Sequence, residues 1–90
     1  MLISFHDTHA YPGCAVTIRG EPDIPAASEG VAEFSDGALA AARFEKSGAD
    51  EIVLHIGGYV TARRTRIRAK SWRLRRAKHP DLWKVVAKLT

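Results

Sequence analysis

Along most of the chain apolar residues alternate with polar ones, the period-2 pattern of half-buried β-strands. Glu51–Ile56 is the plainest case, with Ile52, Leu54 and Ile56 in one parity. Cys14–Arg19 repeats it: Cys14, Val16 and Ile18 are in phase, behind a Tyr11-Pro12-Gly13 turn signal. Ile3 and Phe5 agree in parity and mark a first strand near residues 2–5.

Asp36-Gly37 follows Val31–Phe34 and predicts a hairpin with a type I′ turn, whose two central residues need positive φ. The next stretch, Ala38 to Lys46, is alanine-rich and by propensity favours helix. A helical wheel, however, puts Leu39 on one face with Arg43 and Lys46. As a strand, Ala38, Ala40, Ala42 and Phe44 share one face, and we read a strand. Residues 47–50 then form a turn. Gly57-Gly58 predicts a two-residue hairpin that pairs Tyr59–Ala62 back on 51–56. Residues 20–30, GEPDIPAASEG, read as a loop.

The C-terminal third supports two readings. Trp72 and Leu74 alternate with Arg73 and Arg75 as in a strand, whereas a helix over 66–78 would align only Ile67, Ser71, Leu74 and Lys78. Leu82–Leu89 is a helix if Leu82, Val85, Val86 and Leu89 form the buried face. It is a strand if Trp83, Val85, Ala87 and Leu89 point inward. A hairpin through Ala77–Asp81 that joins the two tryptophan segments is preferred, and the helix stays open. The fold class that follows is mostly β: a single domain over 1–90, a small antiparallel meander or partly closed barrel of five to seven short strands, with one short C-terminal helix as the open alternative. Closure would hide the edges of such a meander.

Length and composition narrow the class. Ninety residues fit one domain with one small core. A single Cys excludes an internal disulfide framework and a Cys-only zinc site. No apolar run approaches a membrane span, and the first residues lack the basic start and apolar stretch of a secretory signal, so the expectation is a cytoplasmic protein with no membrane partner.

Charge changes the picture more. Residues 1–60 hold three bases against nine acids, a net of −6, and residues 61–90 hold eleven bases against one acid, a net of +10. Eight of the eleven are Arg63, Arg64, Arg66, Arg68, Lys70, Arg73, Arg75 and Arg76, seven of them arginines. The planar guanidinium suits phosphate and carboxylate oxygens. Those eight residues are the candidate nucleic-acid-binding set. Aromatics among them would offer stacking platforms, but Trp72 and Trp83 in so small a domain are read as core.

The remaining chemistry is sparse. His6-Asp7-Thr8-His9 with Cys14 holds metal-ligand types, but on a strand positions three apart face opposite ways, and no second ligand pair is evident. No metal or cofactor is expected. His6 or His9 with His55 supplies the residue types of a ribonuclease-like acid and base, yet nothing in the sequence brings them together, and no catalytic residue is assigned. Cys14 in phase with Val16 and Ile18 reads as core. Gly57-Gly58 lacks the pattern of a phosphate-binding loop.

The function expected is therefore that of a small non-enzymatic module binding nucleic acid electrostatically. The alternative is a compact adaptor or inhibitor, in a mobile-element or stress context, that docks its basic face on an acidic protein. Self-association of the acidic and basic parts in a homo-oligomer also stands open.

Overall fold

The alternation becomes nine strands among the described residues, and seven of them close into a barrel. The structure, a computed structural model, describes residues 2–5, 15–19 and 26–90. In chain order the strands are β1 (Leu2–Phe5), β2 (Ala15–Arg19), β3 (Ala27–Glu33), β4 (Leu39–Gly48), β5 (Glu51–Ile56), β6 (Tyr59–Val60), β7 (Arg66–Ile67), β8 (Lys70–Arg76) and β9 (Leu82–Lys88). Around the ring the order is β1-β2-β9-β8-β5-β4-β3, and β3 returns to β1. Seven is odd, so strand directions cannot alternate all the way round, and one neighbouring pair must be parallel. That pair is β1–β3, with Leu2 opposite Val31 and Ser4 opposite Glu33. The other ring contacts are antiparallel. Closure leaves the ring without a free edge.

The interior explains why alanines with high helix propensity lie in a strand. On β3 and β4, Ala32, Ala40 and Ala42 point inward, with Ala32 opposite Ala40. Across the ring, β8 and β9 present Trp72, Leu74 and Trp83, each at most 1% exposed. A wall of small side chains makes room for a wall of large ones, the way a narrow barrel fills its lumen. Ile52, Leu54 and Ile56 complete the core as their parity predicts. An aromatic series runs to one end of the barrel. Trp72 meets Phe5 at 5.7 Å, Phe5 stacks on Phe34 at 4.7 Å, and Phe34 stacks on Tyr59 at 4.5 Å.

Several local expectations are corrected. Residues 27–30 belong to β3 and not to a loop, and β4 runs on through Ser47 and Gly48. Gly57-Gly58 is not a hairpin turn. β5 pairs with β8, Leu54 opposite Trp72, while Tyr59 and Val60 pair with Ile67 and Arg66 in a separate two-stranded ribbon. The glycines carry the chain out of the ring where space is short: a Cβ on Gly58 would press on the Ile67 carbonyl oxygen at 3.3 Å.

The C-terminal segment is a strand, joined to β8 through the expected turn, with Ala77 N donating to Leu82 O at 2.9 Å. Leu89, expected inward, is 43% exposed. The register between β8 and β9 slips, since Arg73 faces Ala87 while Leu74 faces Val85. Val86 is the extra residue of a bulge, and parity reverses beyond it.

The turn at Asp36-Gly37 is a three-residue loop and not type I′. Phe34 N donates to Ala38 O at 3.0 Å and Gly37 N to Phe34 O at 2.9 Å. Only Gly37 of the pair has positive φ, at 87°. This is a type I turn followed by one left-handed residue, the next commonest hairpin connection.

Candidate nucleic-acid interface

The Gly57-Gly58 exit gives the Arg-rich segment its own element. Tyr59–Val60 and Arg66–Ile67 form the ribbon β6–β7, tipped by residues 61–65. Its root is apolar: Tyr59 is buried at the end of the aromatic series, and Ile67 packs partly on the core. Its tip is polar and exposed, with Ala62, Arg63, Arg64, Thr65 and Arg66 in solvent.

The tip has the same geometry as the 34–38 turn, residue for residue. Thr61 N donates to Thr65 O and Arg64 N to Thr61 O, both at 2.9 Å. Thr65 N adds a bond to Thr61 Oγ1 at 3.1 Å. The left-handed position that Gly37 fills in the first turn is filled here by Arg64, at φ 63°. A residue with a Cβ pays about 1–2 kcal/mol in that region. Asp36 ties the two turns together. Its Oδ1 accepts from Ala38 N at 3.0 Å and its Oδ2 from Ala62 N at 3.2 Å. Burial, and after it the Asp36 carboxylate, pushes the Tyr59 hydroxyl up to about 12.

The eight candidate residues do not form one patch. β8 runs away from the ribbon, so Lys70 and Arg76 sit about 20 Å apart along the strand. At the far end the bases meet acids: Arg75 lies 3.7 Å from Glu51 and Arg76 lies 3.6 Å from Asp50. Arg76 also stacks over the Trp83 ring at 4.9 Å, which makes it a packing residue as much as a charge. Arg73 is exposed at mid-strand. At the ribbon end, Arg63, Arg64, Arg66 and Arg68 have no acidic partner within 4 Å among the described residues.

Sequence reasoning missed two residues at this end. Lys88 faces Trp72 beside Lys70, and the Lys70 ammonium is pulled below its usual range by burial and then by Lys88. The Val86 bulge decides that placement, and nothing in the local pattern announces it. Asp36 was read only as a turn residue, but it also braces the ribbon.

The other candidate chemistry lies elsewhere. His6, His9 and Cys14 fall outside the described residues. His55 sits on the outer face of β5 with its Nδ1 2.7 Å from Ser71 Oγ. With Glu29, Arg43, Gly57 and Ala69 these two line an open groove of about 590 Å³. His79 is in the turn at the opposite end, where its Nδ1 accepts from Asp81 N at 3.3 Å. Among the described residues no three His, Cys, Asp or Glu side chains gather as a metal site would need. No helix of the described residues is long and apolar enough to cross a membrane. Comparisons with protein-family models, with curated proteins and with solved structures found no match.

Proposed function

We propose that the protein binds nucleic acid through its phosphates, with the β6–β7 ribbon as the principal contact and Lys70, Lys88 and Arg73 as support. One observation carries the reading: four arginines on and just after one short, braced ribbon have no acidic partner within 4 Å among the described residues, while the bases at the far end of β8 lie close to acids. Like charges held together oppose folding. Arg64 adds backbone strain at a position where the same chain elsewhere uses glycine. A surface kept only for solubility needs neither feature. An anion across the ribbon would offset both.

The exposed Val60, 53% accessible beside Arg66 in the same ribbon, supports a second reading, docking on an acidic protein, because an apolar centre with arginines suits protein interfaces.

Fluorescence anisotropy with labelled single- and double-stranded oligonucleotides at about 50 mM salt, where phosphate contacts are strong, tests the proposal. Replacing Arg63, Arg64, Arg66 and Arg68 should weaken binding at least tenfold. Replacing Arg19 and Arg43 should leave it nearly unchanged. No binding by the intact protein would defeat the reading and move the acidic-protein partner to the front.

A further inference from the structure

Resting on that reading, we infer that the ligand is duplex DNA of B form, and that the ribbon enters its major groove with Arg63 and Arg64 on guanine edges and Arg66 and Arg68 on the flanking phosphates. Three observations lead there.

The first concerns single strands. Proteins that hold unpaired nucleic acid stack bases on exposed aromatic rings. Here Phe5, Phe34, Phe44, Tyr59, Trp72 and Trp83, the described aromatics, are all buried at 8% exposure or less. The described surface offers charge but no exposed Phe, Tyr or Trp ring beside the ribbon, which favours a duplex.

The second is size. A two-stranded ribbon has its strands about 4.8 Å apart before side chains are added. It fits the B-DNA major groove, about 12 Å wide and 8.5 Å deep, and not the minor groove at about 6 Å. Tyr59 to Ala62 spans roughly 10 Å at strand rise, and the Arg63 and Arg64 side chains extend beyond the turn to the groove floor. The major groove of A-form RNA is too narrow for side chains to read, so the same dimension selects DNA over double-stranded RNA.

The third is the division of the arginines. Arg63 and Arg64 occupy the turn itself, and three hydrogen bonds around Thr61 fix its backbone. Arg66 and Arg68 stand further back, in and just after β7. Tip residues meet base edges and shoulder residues meet phosphates when a ribbon enters a groove end-on. Arginine's fork matches the N7 and O6 acceptors of guanine, the commonest specific contact in that groove. The strain at Arg64 then serves to aim one of the two forks.

The test compares four probes of one sequence: a guanine-rich DNA duplex, the same duplex with 7-deazaguanine, the RNA duplex and the DNA single strand. The 7-deaza base keeps pairing and removes only the N7 acceptor. The wild-type protein should bind the deaza duplex roughly fivefold or more weakly, and the RNA duplex and single strand about tenfold more weakly than the unmodified duplex. A variant with Arg63→Ala and Arg64→Gly should bind the two DNA duplexes equally, with its salt slope changed by less than one unit. Arg66→Ala with Arg68→Ala should keep the guanine dependence and flatten the slope by about two units. Thermal melts of each variant verify the fold. Equal binding of wild type to both DNA duplexes, or to all four probes, would overturn the groove assignment and leave the electrostatic proposal standing. So would guanine dependence that survives loss of both tip arginines. Absence of binding to every probe would overturn both.

Discussion

Replacing Arg64 with glycine should raise stability and lower affinity in one step. The residue has φ 63° in a turn whose counterpart holds Gly37 at 87°. Removing the Cβ relieves about 1–2 kcal/mol of steric cost. The glycine also gains freedom in the unfolded chain, which returns about 0.4–1 kcal/mol. The Arg64 side chain makes no salt bridge among the described residues, so the truncation removes no attractive contact of that kind. Relief of repulsion from Arg63 and Arg66 adds to the gain. The net expectation is stabilisation by roughly 0.5–1 kcal/mol, or about 2–8 °C in melting temperature for a domain of this size. Gly37→Ala in the other turn should shift it the opposite way, since nothing lies within 4 Å of the added Cβ and only the backbone strain acts. Thermal denaturation followed by circular dichroism measures both, and anisotropy with duplex DNA measures the cost to binding. An Arg64→Gly melt that is unchanged or lower would refute the strain argument. A stabilised variant with undiminished affinity would refute the functional reason for tolerating the strain.

Other consequences can be checked with the same assays. Leu54→Ala removes a fully buried side chain facing Trp72 and should cost about 2–5 kcal/mol in urea denaturation. Arg76→Ala should destabilise by about 1 kcal/mol through the lost stacking on Trp83, yet leave DNA affinity within twofold, which separates it from the ribbon arginines. Tyr59 is held neutral by the fold up to about pH 12, above the ordinary value of 10. Its contribution is therefore complete below pH 10 and lost as pH rises from 10 through 12. The stability difference between wild type and Tyr59→Phe should fall over that window and stay flat from pH 7 to 9. Asp36→Ala leaves Ala38 N and Ala62 N without their carboxylate acceptor and should cost about 1–3 kcal/mol, with faster amide exchange confined to the two turns.

Side-chain parity was the legible part of this fold. Ile52, Leu54 and Ile56, the inward alanines of β4, and Val16 with Ile18 all face as their alternation says, because a strand's period is fixed by backbone geometry whatever its neighbours. Pairing partners were less legible. Gly57-Gly58 satisfies a local hairpin rule, but β5 finds more apolar area opposite Trp72 and Leu74 of β8 than opposite Tyr59 and Val60. The 34–38 turn shows a similar conflict: Asp-Gly suits type I′, yet the longer loop lets both Asp36 oxygens accept backbone N–H groups. The Val86 bulge and the parallel β1–β3 contact follow from closing the ring, a long-range condition with no local trace. The basic segment was visible as composition. Its division into ribbon arginines with no ion pair among the described residues and a far end near Asp50 and Glu51 depends on register.

The central proposal is that the ribbon arginines, without ion pairs among the described residues, grip phosphates, and the salt dependence of duplex binding tests it most directly. Association constants measured across about 50–200 mM salt should give a log–log slope of about −4 to −5 for the intact protein, as expected for five or so phosphate contacts. With Arg63, Arg64, Arg66 and Arg68 replaced, the slope should flatten by two units or more while the melting curve stays cooperative. A slope that is the same in both proteins, or near zero in the intact one, would contradict the account.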